Sequence, residues 1–167
     1  MSKTKILLTK TDVLKSPHPK PFNGMAVSIK KFKAFIQETT SIKKQPIIIF
    51  GANWCPDARL LEGVLHLPSV KNFIDMHCDV LNIDVGNYEI NTELFRFFDS
   101  TIKDGIPRVF ILNLKGETIN LETNDRMRTA REHSAQEIFE YLQDYVGIDQ
   151  YRKCLILSRL CPMSVIA

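Results

Sequence analysis

Cys55 is the residue of this chain best placed to do chemistry. It lies in Phe50-Gly51-Ala52-Asn53-Trp54-Cys55-Pro56-Asp57-Ala58-Arg59. The apolar run Ile47-Ile48-Ile49-Phe50 ahead of it reads as a buried strand. The run behind it, apolar at Leu60, Leu61, Val64, Leu65 and Leu67, reads as an amphipathic helix. Cys55 is therefore expected where a strand's carboxyl end meets a helix's amino end. Unpaired backbone N–H groups and the helix dipole favour negative charge there, so they favour a thiolate. Pro56 suits the first helical turn, where its missing N–H costs nothing. Arg59, one turn on, adds a cation, and the Asp57 carboxylate works against ionisation. The expectation is a thiol on a partly exposed loop, ionising below the unperturbed ~8.5. Such a thiolate can attack a disulfide and form a mixed disulfide.

With Asp104-Gly105-Ile106-Pro107 before a second β-run, the pattern resembles the thioredoxin superfamily. Gly51-Ala52-Asn53-Trp54-Cys55, Asn82-Ile83-Asp84-Val85-Gly86-Asn87 and Asp104-Gly105-Ile106-Pro107 resemble bacterial thioredoxin-like disulfide isomerases within it. The resemblance covers Ser28 to Val146. It implies a redox-active centre with Cys55 as nucleophile, serving cell redox homeostasis. Trp54, Pro56 and Asp57 would lie on the substrate-docking surface. From sequence alone Pro107 is a β-edge or turn proline. The resemblance makes it the family's cis-proline opposite the thiol, leaving the Ile106 backbone free to pair with an extended substrate.

The chain departs from the family at two places. The second cysteine is replaced by Ala58, and the buried aspartate of thioredoxins proper by Ile49. Ala58 has no thiol with which to release a bound substrate, so this site is expected to attack but not to resolve. Three readings of Ala58 stand open: a substituted position, a natural one-cysteine enzyme using glutathione or another outside thiol, or a relict cysteine in a non-catalytic binding or adaptor module. Cys154 and Cys161 are candidates for a resolving role. On a helix they would share a face about 10.5 Å apart, too far to bond each other.

Other constellations offer less. His66 and the adjacent His77-Cys78 lack metal-ligand spacing and read as surface or packing residues. There is no glycine-rich phosphate loop, and no metal or cofactor is expected.

The elements that would carry the site follow from patterning. Residues 1–27 read as an N-terminal arm, extended through Ser16-Pro17-His18-Pro19-Lys20-Pro21. Ser28 caps a short helix whose apolar face is Ile29, Phe32, Phe35 and Ile36. Pro68-Ser69 restarts a short helical turn, and Asp79 to Val85 reads as a second strand. Asn91 caps a helix striped by Leu94, Phe95 and Phe98. Arg108 to Asn113 and Glu117 to Leu121 read as a hairpin around Lys115-Gly116. Thr123 to Arg131 is charged and ambiguous. Ser134-Ala135-Gln136-Glu137 is a capping box, with Ile138, Leu142 and Tyr145 inward. The expected fold class is α/β: a thioredoxin-like fold with a mixed central sheet and helices on both faces. It would span residues 28–146, followed by a C-terminal extension over 147–167 read as a docked tail helix.

A chain of 167 residues, 44% hydrophobic and 25% charged, is long enough for one core. A formal charge of +3 without a sustained basic tract argues against nucleic acid as partner. No apolar run reaches the ~20 residues of a spanning helix. The start lacks a signal-peptide core, so the expected compartment is the cytoplasm as written, or the periplasm if a signal was removed. The partners implied are polypeptides with disulfides or reactive thiols.

Overall fold

The computed structural model describes residues 4–147. The tail-helix expectation, Cys154 and Cys161 lie outside the described residues.

The sheet is built on β1 (Gln45–Gly51), every residue of which is buried. β2 (Cys78–Asp84) runs parallel to it, with Ile48 opposite Leu81 and Phe50 opposite Ile83. β3 (Arg108–Ile111) runs antiparallel on the other side, with Ile48 opposite Phe110. The order is β2-β1-β3, a mixed sheet. Successive residues of a strand point to opposite faces, so continuous burial requires cover on both.

One face carries the aromatic cluster. Phe50 and Phe110 meet edge-on at 5.8 Å, and Phe98 stacks on Phe110 at 3.8 Å. Phe95 lies 4.5 Å from Phe50. Phe32, from α1 (Ile29–Ser41), packs against Phe97 and Phe98. The remaining layer comprises α2 (Pro56–Leu65), α3 (Pro68–His77) and α4 (Ala135–Tyr145), where Phe73 meets Phe139. Phe50, Phe95 and Phe110 are each at most 1% exposed. Among the described residues no helix is long and apolar enough to cross a membrane.

The capping box at Ser134 forms as expected, with both reciprocal hydrogen bonds. Several other elements differ from expectation. Ser28 caps α1 as expected, though the helix runs to 13 residues, and α3 is a full helix of 10 residues rather than a short turn. Ile29 is 45% exposed and leaves the apolar face, which Phe32 anchors. β2 begins and ends one residue earlier than the apolar pattern suggests.

Asn91 does not cap an α-helix. It is left-handed at φ 58°, and the segment after it, Thr92–Phe97, is 3-10. Its side chain instead accepts from Val27 N–H and donates to Met25 and Asp84 carbonyls. The hairpin beyond β3 shrinks to a single bridge, Leu112 with Thr118. The reason is Asn120, whose buried side chain accepts from Ile111 N–H and donates to Val109 C=O. It satisfies the β3 edge in place of a strand. The ambiguous stretch resolves as 3-10 turns at Leu121–Thr123 and Arg126–Glu132, the latter kinked at Thr129.

The N-terminal arm is stitched to the body. Phe22 is 5% exposed and its ring tip abuts Gly51. Lys5 pairs with Asp144. Asp12 accepts from the Ser69 N–H at 2.7 Å and the Ser69 hydroxyl at 2.6 Å. α3 has no cap of its own, since its N-cap is Leu67. The arm therefore supplies the missing acceptor at that helix start.

Two outcomes follow. Phe50→Ala is expected to cost about 3–5 kcal/mol, read as a lower urea midpoint with little change in slope. Partial desolvation raises the Asp12 carboxyl, but hydrogen bonds from Ser69 and Thr9 outweigh it and hold its pKa at about 2. A folded-state pKa below the unfolded value stabilises above the unfolded pKa, and that contribution is lost as pH falls through the folded one. The arm's hold on α3 is therefore expected to weaken between pH ~4 and about 2. Hydrogen exchange of the Ser69 amide, compared with Asp12→Asn, measures this.

Candidate active site

Cys55 is the N-cap of α2, with extended backbone at φ −83°, and Pro56 opens the first turn. The β1 ladder fixes this place, because Gly51 is its last residue and the Cys55 N–H closes a turn onto Ala52 C=O at 3.0 Å. The thiol faces the Ile106–Pro107 segment, and Cys55 Sγ lies 3.8 Å from Ile106 C=O. The Ile106–Pro107 peptide bond is cis. The Ile106 N–H has no hydrogen-bond partner among the described residues.

Ala58 lies one turn beyond Cys55 and is 1% exposed. Trp54 is 55% exposed, its indole N–H donating to Gly86 C=O at 2.8 Å and its ring meeting Tyr88 edge-on. The Tyr88 hydroxyl accepts from Gly105 N–H at 3.1 Å. Trp54, Tyr88, Gly105 and Ile106 line a groove of about 520 Å³ together with residues of the 125–133 stretch, Arg126 and Arg128 among them.

A disulphide isomerase from Xylella fastidiosa Temecula1 matches with a TM-score of 0.68 at 30% identity, over 75% of this chain and 96% of that one. The chain belongs to the thioredoxin-like disulfide oxidoreductases. The C-terminal domain of Neisseria meningitidis DsbD, in its oxidised form, matches at 23% identity and a TM-score of 0.42, over 57% of this chain and 85% of that one. No family model and no curated protein matches the sequence.

In this member of the family, three local expectations change. Cys55 is not on a partly exposed loop but is 5% exposed, because Ile106 closes over the thiol. Arg59 turns away, its guanidinium donating to His18 C=O at 2.7 Å and Pro19 C=O at 3.4 Å. It fastens the arm instead of flanking the thiol. Asp57 is 7% exposed and is held by Arg131, with the backbone N–H at 2.9 Å and two guanidinium contacts at 3.2 Å. Its carboxylate is neutralised there rather than presented at the surface, while Pro56 stays exposed.

Arg131 is the residue that sequence reasoning missed. The hydrogen bond and charge of Asp57, with a smaller contribution from Cys55, raise its pKa. Its cation therefore acts on the α2 start. Asn53 was also not singled out. Its side chain takes both backbone groups of Phe22, accepting from the N–H at 3.2 Å and donating to the C=O at 2.5 Å. Asp84 lies at the end of β2, where its carboxylate accepts from Gly24 and Gly86 N–H groups, each at 2.8 Å. The only sequence signal for these contacts was the clustering of short polar side chains beside glycines.

Cys78 has no place in this site. Burial, then the Asp79 charge, push its thiol up to about 12, with Lys44 pulling the other way. His66 bonds the Glu62 carbonyl of its own helix turn and His77 packs on Phe73. Among the described residues no group of three potential ligands could hold a metal. In folded protein at pH 8, Cys78 is expected to resist iodoacetamide and to label fully in urea. Peptide mapping by mass spectrometry reads this, and native labelling at the rate of a free cysteine would contradict the burial.

Proposed function

We propose that the protein exchanges thiols with protein disulfides through Cys55 alone, and forms a mixed disulfide that it does not resolve by itself. The observation that carries this reading is the Cys55 thiol at a helix start, 3.8 Å from Ile106 C=O, with a methyl group at Ala58 where a second sulfur would be needed. The Cys55 thiolate attacks one sulfur of a substrate disulfide. A new S–S bond forms to Cys55, the old one breaks, and the other substrate sulfur leaves as a thiolate and takes up a proton. An outside thiol, such as glutathione, then attacks the mixed disulfide and returns Cys55 to its reduced form.

Binding would use the same edge. The unpartnered Ile106 N–H offers one main-chain hydrogen bond to an extended polypeptide, and Trp54 gives an exposed aromatic face beside it. Pro107 sets the course of this edge, and Pro56 is exposed beside Cys55 in the chain. Asp57 serves here by positioning Arg131 rather than by touching substrate. The deep burial of Cys55 favours a second reading, a binding module whose cysteine does no exchange.

The two readings separate on one comparison. The parent chain and Ala58→Cys are mixed with a disulfide-bonded peptide, and products are followed by intact mass. The parent is expected to accumulate a Cys55–peptide adduct and to turn over only with added glutathione. Ala58→Cys is expected to release the reduced peptide in a first turnover without it. Adduct levels no higher than those of Cys55→Ser, with no product from either form, would leave the binding module standing.

A further inference from the structure

Part of the groove lining is cationic. Arg126 and Arg128 line the groove and are exposed, Arg126 lying 5.7 Å over the Tyr141 ring, and His133 also lines it. Among the described residues neither arginine has a carboxylate within ion-pair distance. Arg131, in the same segment, is already engaged by Asp57, and Arg108 donates to Asp104 C=O and to the Asn124 side-chain oxygen. The one acid lining the groove is Asp125, whose charge acts on Arg108.

The Arg128 side chain, although exposed, reaches back to Gly105. Its guanidinium lies over Gly105, so closely that a Cβ built there would fall 2.5 Å from Arg128 Cζ. Gly105 has φ +86°, which favours glycine, and a side chain there would also displace the end of Arg128. Arg128 thus lies against the residue before Ile106, at the edge where a substrate backbone would run. Its charge lowers the pKa of nearby Arg108, after the larger effect of burial. An anion placed here would relieve that repulsion. A guanidinium is shaped to take a carboxylate through two parallel hydrogen bonds.

Resting on the single-cysteine exchange reading, we propose that this groove selects polypeptides carrying a glutamate or aspartate next to the disulfide under attack. Arg128 is the main specificity-determining residue and Arg126 the secondary one. The acidic side chain binds while the substrate sulfur is brought to Cys55, and the exchange step itself is unchanged.

The test uses three peptides identical except for the residues flanking one cysteine, which are Glu, Gln or Lys. Each cysteine carries a neutral 2-pyridyl disulfide. Attack by Cys55 transfers the peptide sulfur to Cys55 and releases pyridine-2-thione, which is followed by absorbance. The rate assigned to Cys55 is the part lost in Cys55→Ser. At low ionic strength the Glu peptide is expected to react about tenfold faster than the Gln peptide, and the Lys peptide slowest. The ratio should shrink in high salt, fall in Arg128→Gln, and approach unity in the Arg126→Gln/Arg128→Gln double variant. The uncharged reagent 2,2′-dithiodipyridine should react equally with parent and variants, which checks fold and thiol together. Equal rates for Glu and Lys peptides, with the 2,2′-dithiodipyridine reaction intact, would overturn the selectivity alone. No Cys55-dependent reaction even with 2,2′-dithiodipyridine would overturn the exchange reading and the selectivity with it.

Discussion

β1 has no exposed residue, and this constraint positions everything at the candidate site. Ile47, Ile48, Ile49 and Phe50 are all at most 2% exposed. A shift of one residue would exchange the two buried faces, so the register with β2 and β3 is strongly held. Because the strand cannot slide, its last residue, Gly51, fixes where the chain emerges and where α2 starts. Cys55 is therefore held opposite Ile106 by a ladder that itself contains no reactive group.

Two long-range fastenings then complete the site. Arg131 comes back to α2 and neutralises Asp57, tying the 3-10 segment to the helix start. That segment supplies part of the groove lining. Tyr88 reaches across to Gly105 and Trp54 bonds Gly86, which fixes another part. The groove is a joint product of segments distant in the chain, and each is held by polar bonds to backbone or to an opposite charge.

The N-terminal arm shares these anchors. Gly51, Asn53, Arg59 and Asp84 all hold it, although they belong to or adjoin the motif that carries the cysteine. Residues that a family pattern associates with thiol chemistry therefore also serve docking. Substitutions at Asn53 or Arg59 would act on the arm first and on Cys55 through it.

The sequence by itself determined the local parts. The unbroken apolar run gave β1, Pro56 and the periodicity after it gave α2, and Ser134 with Glu137 gave the start of α4. Each is a short-range pattern that the backbone reads within one or two turns. The family pattern around Cys55 and Pro107 made the fold and the approach of those two segments legible as well. Tertiary structure alone decided that Arg59 serves the arm, that Arg131 rather than Arg59 is the cation at the α2 start, and that Asn120 replaces a strand with its side chain. The Asp57–Arg131 pair joins residues 74 apart. No periodicity encodes such a contact, because it depends on where two separately packed elements bring their surfaces together.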